Sequence, residues 1–336
     1  MKKTLRVPVD PWNPDPAVLR EAAAVLRRGG LVAFPTETVY GLGANALNAD
    51  AVRGIYRAKG RPSDNPLILH LARREEADRL ARPTPRARGL MSAFWPGPLT
   101  LVLPARPVVP AETRGGLDTA ALRMPDHPVA AALIEAAGFP LAAPSANLSG
   151  RPSPTDADSV WEDLGGRADM ILDAGPVSVG IESTVLDMTA EPPLLLRPGG
   201  LSREVLEDFL GVGLGCPEVP SARSPGTRYR HYAPFVPVWI WEGGPLPEGA
   251  DPGRCGFMGL TSPSAPFARS LRFDSPENYA RGLFAGFRAM ESAGVLGIVV
   301  QWPPAAGVGL GVRDRIRRAA QAGAEEGTEA SASLGL

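Results

Sequence analysis

The chain has 336 residues, of which 44% are hydrophobic, and a formal net charge of -1. This length exceeds one typical domain and suits two, and the composition allows a packed core. The near-zero net charge excludes a protein held to a polyanion by bulk charge, so any contact with nucleic acid would have to be local.

Cysteine usage and apolar runs bound the class of protein further. Cys216 and Cys255 are too few for a disulfide scaffold, and no Cys/His cluster has the spacing of a zinc site. Residues 1–14 lack the apolar segment of a signal peptide, and the sequence has no run of about 18 apolar residues that could cross a membrane. We therefore expect a reduced, soluble protein of the cytoplasm.

Helices and strands alternate along the first two thirds of the sequence. Capping residues followed by apolar residues at helical spacing predict helices after Asp15, Asn48, Asp126, Thr155 and Ser202, and others near 75–80 and 85–94. Short apolar runs predict strands at 31–34, 67–71, 99–103, 119–123, 141–143, 170–173, 183–187 and 194–196. The residues of the helix after Ser202 that should face the core are Val205, Leu206, Phe209 and Leu210. Such alternation is typical of an α/β fold.

A change in composition after residue 210 marks a domain boundary. Residues 211–237 are rich in glycine, proline and serine and show little periodicity, which predicts a linker. Beyond the linker, strands are predicted at 238–241, 256–260 and 295–301, and helices at 276–293 and 313–322. These elements indicate a second, smaller α/β domain, and the small polar residues 323–336 indicate a disordered tail.

Candidate ligand-binding residues begin directly after the strand at 31–34. The turn at 35–43 contains hydroxyls, a carboxylate and two glycines, and bare backbone there lets a ligand approach closely. Lys59 and Arg61 lie on a loop stiffened by glycine and proline, and two cations on such a loop suit a phosphate chain. Lys59 also stands at a helix C-terminus, where a cation is mildly favourable without any ligand. The sequence has no Walker loop and no G-x-G-x-x-G, so a phosphate site of those kinds is excluded.

Further polar residues stand at the ends of other predicted strands. They are His70, Arg123, Ser145, Asn147, the segment 182–184 and Arg197. Each has an ordinary explanation alone, because a lone histidine is usually a core residue, Pro-Ser-Ala-Asn is a common turn, and a buried arginine can pair with a protein carboxylate as well as with a ligand. Hydroxyls or cations at five or six strand ends together favour one shared site. No serine lies in a nucleophile-elbow context, which excludes a Ser-His-Asp site of that kind.

Seven motifs occur in an order that resembles the YrdC family, the threonylcarbamoyl-AMP synthases of tRNA t6A biosynthesis. They are Pro35 to Gly43, Lys59-Gly60-Arg61-Pro62 with Asn65-Pro66-Leu67, Trp95-Pro96-Gly97-Pro98-Leu99-Thr100, Arg123-Met124-Pro125, Pro144-Ser145-Ala146-Asn147, Glu182-Ser183-Thr184 and Leu196-Arg197-Pro198-Gly199. The resemblance covers roughly residues 12–212. Residues 225–234 (Pro-Gly-x-x-Tyr-x-His-Tyr-Ala-Pro) and the domain after them resemble the longer, two-domain form of these synthases.

The resemblance implies both a fold and a reaction. Residues 12–212 would form a YrdC-like catalytic domain, a twisted mixed sheet with flanking helices around a large cavity, followed by a linker or lid (213–237) and a smaller Rossmann-like domain (238–322). The enzyme would be a nucleotidyltransferase that converts L-threonine, bicarbonate or CO2, and ATP with Mg²⁺ into L-threonylcarbamoyl-AMP and pyrophosphate. A downstream tRNA threonylcarbamoyl-transferase would then modify N6 of adenosine 37, and we expect any contact of this chain with tRNA to be weak.

The family motifs also imply roles for individual residues. Lys59 and Arg61 would be catalytic, meeting the phosphates. The residues along ATP or the adenylate would be Arg61, Asn65, Thr119, Ser145, Ser153, Arg197 and Tyr232 of the linker. L-threonine would lie among Thr38, His70, Arg123, Ala143 and Ser183, and Arg123 would bind its carboxylate. The resemblance assigns no metal ligand to the protein.

Other classes of function stay open at this point. The YrdC-like fold also resembles a double-stranded-RNA-binding module, which would make the chain a non-catalytic RNA- or tRNA-binding protein, although its near-neutral charge argues against this. A related domain of hydrogenase-maturation proteins performs carbamoyl-adenylate chemistry on another acceptor, but this chain has neither the acylphosphatase nor the zinc-finger segments of those proteins. The second domain could serve only as a structural or regulatory surface.

Overall fold

Two β-sheets with flanking helices organise the chain in the computed structural model, which describes residues 3–217, 231–263 and 265–333, with the backbone alone for 322–333. The strands are β1 (Leu5–Pro8), β2 (Val32–Phe34), β3 (Gly41–Asn45), β4 (Ile68–His70), β5 (Leu99–Pro104), β6 (Thr119–Arg123), β7 (Leu141–Ala142), β8 (Met170–Asp173), β9 (Thr184–Asp187), β10 (Leu194–Arg197), β11 (Val238–Trp241), β12 (Gly256–Gly259), β13 (Arg269–Arg272) and β14 (Ile298–Gln301). The helices are α1 (Pro16–Arg27), α2 (Ala49–Lys59), α3 (Ala77–Leu80), α4 (Pro85–Phe94), α5 (Ala111–Arg114), α6 (Pro128–Ala137), α7 (Ala157–Leu164), α8 (Arg203–Leu210), α9 (Pro276–Ser292) and α10 (Gly309–Ser333), with a 3-10 turn at Arg74–Glu76.

The first domain is built on one mixed sheet. Its ten strands have the order β1-β8-β2-β3-β7-β4-β6-β5-β9-β10, in which β4 and β6 are parallel while β5 and β6 are antiparallel. The strands after the linker form a second sheet in the order β11-β14-β12-β13, and the pairs in it are parallel. The predicted α/β fold, a large mixed sheet followed by a smaller Rossmann-like domain, is confirmed.

Local sequence explains how α2 delivers its cations. The Asn48 side chain caps the helix by accepting from the N–H groups of Asp50 and Ala51 at 3.0 and 3.2 Å. Gly60 ends the helix with a φ of 62°, a left-handed conformation that glycine adopts without a steric penalty. The chain therefore reverses directly after Lys59 and sets Arg61 beside the last helical turn.

Two predicted helix starts are wrong by one residue. His127, not Asp126, caps α6, because its Nδ1 accepts from the Val129 N–H at 3.2 Å and Pro128 fixes the first helical position. Asp156, not Thr155, caps α7 by accepting from the Ser159 N–H at 2.8 Å. In both cases neighbouring residues could each cap a helix, and the backbone geometry selects one of them.

Helix α8 buries fewer residues than its sequence predicts. Leu206 is buried and Leu210 partly so, whereas Val205 and Phe209 are 44% and 45% exposed. The prediction that all four face the core is wrong, because a helix at the domain edge buries one row of residues spaced by four, and the adjacent row faces outward. Phe209 is still packed edge-on against Phe94, with ring centroids 5.2 Å apart.

Other elements extend beyond the predictions. Strands β1, β3 and β13 were not predicted, and α10 begins at Gly309 and continues to Ser333, through residues predicted to form a disordered tail. The alanine and glutamate residues of that segment favour helix over coil. Linker residues 218–230 lie outside the described part of the chain. Within the part that is described, no helix is both long and apolar enough to cross a bilayer.

Polar side chains of α9 attach the second domain to the first. Arg288 Nη2 donates to Asp163 Oδ2 at 2.7 Å and to the Pro152 carbonyl at 2.8 Å. Glu291 pairs with Arg151 at 2.7 Å. Most of these charged groups are largely buried, so the charged side chains of each domain are neutralised by groups of the other domain.

Candidate active site

A concave pocket opens beside the strand ends of the large sheet. It encloses about 560 Å³, including the space at its mouth. His70 ends β4 and Arg123 ends β6, and these residues are register partners on parallel strands, so they meet at one edge. The predicted site residues that line this central pocket are Thr38, Arg61, His70, Arg123, Ala143, Ser145, Ser183, Arg197 and Tyr232. The fold thus brings strand ends far apart in the sequence into one site.

Three further predicted residues stand one hydrogen bond away from the central pocket, and all three are buried. Each is bonded to a lining residue: Lys59 to Ser145, Asn65 to Arg61, and Ser153 to Glu182. Thr119 differs, because it begins β6, about 13 Å along the strand from the end that reaches the pocket.

Besides Arg123, two arginines place positive charge in the central pocket. Arg61 Nη2 donates to the Pro66 carbonyl at 3.2 Å, whereas its buried Nε has no hydrogen-bond partner among the described residues. Burial lowers the pKa of Arg61 to about 10, so the side chain remains a cation at neutral pH. Arg197 donates through Nε and Nη2 to the Ser183 carbonyl at 3.2 and 2.9 Å. An unpaired buried donor is costly, so the Nε of Arg61 is suited to a ligand oxygen.

Lys59 directs its ammonium group into the Pro-Ser-Ala-Asn turn. Its Nζ donates to the carbonyl oxygens of Ser145, at 2.6 Å, and Asn147, while the Ser145 hydroxyl donates to Asn147 Oδ1 at 2.6 Å. Burial, and then the charge of Arg61, hold the pKa of Lys59 well below its usual value. These contacts fit a role in fixing the turn that carries Ser145, and a direct contact of Lys59 with phosphate stays a prediction.

Arg123 is held at the pocket wall by a carboxylate of the protein. Its Nη2 lies 2.6 Å from Glu37 Oε1, and the two side chains are only 4% and 7% exposed. Its Nε donates to the Gly97 carbonyl at 3.3 Å. The sequence left open whether Arg123 pairs with the protein or with a ligand, and Glu37 is one partner. A guanidinium has five N–H donors, so this pairing leaves capacity for a second carboxylate.

His70 presents a neutral imidazole next to Arg123. Its Nδ1 lies 3.2 Å from the Ile68 carbonyl oxygen, and its ring meets Phe34 edge-on, with centroids 6.1 Å apart. Burial, followed by the charge of Arg123, lowers the pKa of His70 to about 3. The side chain can therefore hydrogen-bond a hydroxyl or amine without adding charge.

Hydroxyl groups also line the wall of the central pocket. Thr36 Oγ1 donates to the Val39 carbonyl at 2.7 Å and lies 2.9 Å from Thr38 Oγ1. Because the single hydroxyl proton of Thr36 is used on Val39, Thr38 is the donor in that pair, and its lone pairs remain for a ligand. Ser183 Oγ forms a second such pair with Thr100 Oγ1 at 2.8 Å. Thr38 and Ser183 therefore each present to the pocket a hydroxyl group that a neighbouring hydroxyl holds in place.

Glu182 lines the central pocket; the sequence placed it in the candidate segment 182–184 but gave it no contact with a substrate. It is the sole carboxylate among the lining residues that the structure describes, and its Oε1 accepts from Ser153. Burial alone raises the pKa of Glu182, but Arg315 and Arg197 outweigh burial and hold that pKa below its usual value. The Glu-Ser-Thr motif indicated the segment that contains Glu182, whereas Arg315 is 133 positions away, where no local pattern points to it.

Tyr232 brings the linker to the pocket. It is buried, adopts the left-handed φ of 66°, and stacks on Phe284 of α9 with ring centroids 5.4 Å apart. Its neighbour His231 also lines the pocket, and the buried Nε2 of His231 has no hydrogen-bond partner among the described residues. The contact of Tyr232 with a nucleotide stays a prediction.

Comparison with known proteins decides the family. Residues 24–199 match the Sua5/YciO/YrdC family model, described as telomere recombination, and residues 201–321 match the model of the threonylcarbamoyl-AMP synthase C-terminal domain. The chain belongs to the Sua5/YciO/YrdC family. The resemblance predicted from the motifs is thereby confirmed.

Relatives within the Sua5/YciO/YrdC family match nearly the whole chain. The threonylcarbamoyl-AMP synthases of Pyrococcus abyssi and Bacillus subtilis are each 46% identical to it. The alignments cover 94% of this chain and 96% of the P. abyssi protein, and 91% and 93% for B. subtilis. The crystal structure of P. abyssi Sua5 complexed with L-threonine matches with a TM-score of 0.86 and 43% identity, over 96% of this chain and 98% of that one.

Proposed function

We propose that this protein is a threonylcarbamoyl-AMP synthase, which condenses L-threonine, bicarbonate or CO2, and ATP to L-threonylcarbamoyl-AMP and pyrophosphate. Its family and the names of its full-length relatives support this activity. The P. abyssi Sua5 structure was solved with L-threonine, which supports threonine as a substrate here.

One observation carries the proposal: a single pocket combines a carboxylate-binding group with separate cations. Arg123, with neutral His70 beside it, suits the carboxylate of an amino acid. Arg61 and Arg197 line the same pocket and suit the phosphates of ATP. We assign the remaining threonine contacts to Thr38, Ala143 and Ser183, and the remaining adenylate contacts to Asn65, Ser145, Ser153 and Tyr232. Thr119, at the end of β6 away from the pocket, would reach only the part of the nucleotide farthest from Arg123.

The reaction requires the protein to position the substrates and to neutralise the charge of the phosphates. The threonine amine adds to the carbon of CO2 and releases a proton, or adds to the carbon of bicarbonate while one C–O bond breaks and water leaves, and either route gives a carbamate. A carbamate oxygen then attacks the α-phosphorus in line, the bond to the bridging oxygen breaks, and pyrophosphate leaves. Arg61 and Arg197 would offset the charge that develops on the phosphates, and Lys59 would keep Ser145 in place through the turn.

We propose that Mg²⁺ enters bound to the phosphates of ATP. Over the described residues, no group of three or more His, Cys, Asp or Glu side chains is placed to hold a metal ion. Glu182, the carboxylate in the wall, is engaged by Ser153 and Arg315. When bound, Mg²⁺ would supply charge neutralisation on the phosphates.

The chemistry of the product indicates a partner enzyme. A mixed anhydride of a carbamate and AMP is labile, so an enzyme that transfers the threonylcarbamoyl group must take it up promptly. We propose that this enzyme is a tRNA threonylcarbamoyl-transferase acting on N6 of adenosine 37, and that this chain itself contacts tRNA at most weakly. The comparisons support the synthase over a non-catalytic RNA-binding protein.

The decisive experiment measures pyrophosphate release from ATP by the purified protein, with and without L-threonine and bicarbonate. We expect release to require both co-substrates and to prefer threonine strongly over serine. Release with neither co-substrate would point to simple hydrolysis of ATP to AMP and pyrophosphate. No release under any condition, together with RNA binding that weakens steeply with salt, would overturn the proposal in favour of the RNA-binding alternative.

A further inference from the structure

The largest fully buried side chain among the described residues is a charged one from the second domain. Arg315, on α10, has 0% exposure. A guanidinium in such a place is costly unless opposite charge and acceptors surround it. Its partners therefore indicate what the residue holds.

Arg315 reaches out of its own domain to the wall of the central pocket. Its Nε donates to Glu182 Oε2 at 2.7 Å, and its Nη1 donates to the Pro198 carbonyl at 2.9 Å and to Asp314 Oδ2 at 2.6 Å. Its guanidinium carbon lies 5.2 Å from the centre of the Tyr232 ring. Glu182 and Tyr232 both line the pocket, so a residue of the second domain directly contacts two residues of the proposed substrate site.

The start of α10 is seated directly on the loops that carry these partners. A Cβ at Gly311, one turn before Arg315, would lie 2.8 Å from Ile181 Cδ1 and 3.1 Å from Gly199 Cα. A Cβ at Gly199 would in turn lie 2.3 Å from the Glu182 carbonyl oxygen. Glycine at both positions lets the helix touch the loop backbone, which fixes the distance between Arg315 and Glu182.

The charges explain why that distance matters. Glu182 is the carboxylate of the pocket wall, and its charge acts on Arg197, which lines the same wall. A carboxylate facing the pocket would pair with Arg197 or repel the phosphates of ATP. In the structure its two oxygens are instead occupied by Ser153 and Arg315.

We propose that Arg315 is a positioning residue for the reaction assigned above, holding the Glu182 carboxylate against Ser153 and keeping it from pairing with Arg197. The inference rests on the proposed function. It gives the second domain a part in ATP binding, beyond serving as a structural surface, and it makes ATP rather than threonine the substrate whose binding depends on α10.

The test compares Michaelis constants for the two substrates in full-length variants, by pyrophosphate release. Arg315→Met removes the charge but keeps most of the volume, and we expect it to raise the KM for ATP roughly tenfold or more while the KM for threonine changes less than about twofold. Adding Glu182→Gln should bring the KM for ATP back toward the wild-type value, because the carboxylate that interferes is then gone. Arg317→Met, on the exposed side of α10, is the matched control and should leave both constants unchanged.

A purely structural role would give a different pattern. Arg315→Met would then lower the amount of active enzyme, with both KM values unchanged and no restoration by Glu182→Gln, and that result would overturn the proposal. Should Arg315→Met fail to fold, Arg315→Lys carries the test: it keeps the charge but cannot bridge Glu182 and Pro198, so an intermediate KM for ATP is expected and a wild-type value contradicts the proposal. A wild-type protein that releases no pyrophosphate would instead refute the proposed function itself.

Discussion

Arg123 and Glu37 are opposite charges buried together at the part of the pocket wall that we propose binds threonine. Replacing Arg123 by Gln should raise the KM for threonine roughly 10- to 100-fold, because one charge-assisted hydrogen-bond partner of the substrate carboxylate is lost. The KM for ATP should hardly change. The same variant should also lose stability, since Glu37 would be left buried and unpaired.

A double variant separates these two effects. Arg123→Gln combined with Glu37→Gln removes both charges, so thermal unfolding should return toward the wild-type temperature while the KM for threonine stays high. A threonine KM that recovers along with stability would mean that Arg123 serves the fold alone.

His70 should make stability fall in mild acid. The unfolded chain binds a proton on His70 as the pH drops through about 6.5, whereas the folded chain resists until about 3. The unfolded state therefore binds more protons in this window, and the free energy of unfolding declines with falling pH by up to about 1.4 kcal/mol per unit from this residue. In His70→Gln this contribution is absent, so denaturant unfolding of wild type and variant should diverge below about pH 6.5. Parallel curves for the two proteins would contradict the burial of a neutral imidazole.

For single residues, the sequence predicted well which residues line the pocket, and it predicted poorly which side chains they pair with. Nine of the predicted positions line one pocket, and several of them, such as His70, Arg123 and Arg197, stand at strand ends, which are visible as short apolar runs bounded by polar residues. The partners of Arg123 and Glu182 could not be predicted, because they come from Glu37 and Arg315, far away along the chain.

Among the structural elements, α9 meets the first domain at a glycine. Gly180 has a φ of 87°, and a Cβ there would lie 2.2 Å from the Cα of Arg281 on that helix. Gly180→Ala should therefore push α9 away from the catalytic domain and lower both thermal stability and turnover. Backbone clashes of this kind cannot be relieved by a side-chain rotation.

Gly138→Ala is the matched control for this prediction. Gly138 has a similar φ of 82° but open space where a Cβ would stand. It should cost only the conformational penalty, about 1–2 kcal/mol, and leave turnover per folded molecule unchanged. Equal losses in the two variants would show that the contact with α9 is unimportant.

Strand β3 shows why some elements escape sequence-based prediction. Its Gly41 and Gly43 indicate a turn, yet they lie within a strand. The reason is the neighbouring Phe34: a Cβ at Gly43 would lie 2.8 Å from its ring. Glycine is used here for close packing across strands, and a local pattern cannot distinguish that use from a turn.

For the whole molecule, the interface charges predict cooperative unfolding. Arg288 of α9 and Asp163 of α7 form a pair whose side chains are 8% and 6% exposed. Arg288→Met leaves Asp163 buried without its partner, which should destabilise the assembly of the two domains by about 3–5 kcal/mol. In wild type, hydrogen exchange in increasing urea should expose peptides of β2 and β12 at one midpoint, and in the variant at two. Arg272→Met, at a 62% exposed side chain, is the control and should keep a single midpoint.

The pairing of Glu182 with Arg315 also restricts how the two domains can be exchanged between proteins. A chimera that takes its last helix from another family member inherits whatever residue stands at position 315, while the host supplies position 182. Unless the two residues match in charge and reach, the chimera carries a mispaired group beside its own catalytic centre. Randomising both codons at once and screening for pyrophosphate release should therefore return correlated pairs, and each domain would tolerate at that contact only the substitutions its neighbour has already accommodated.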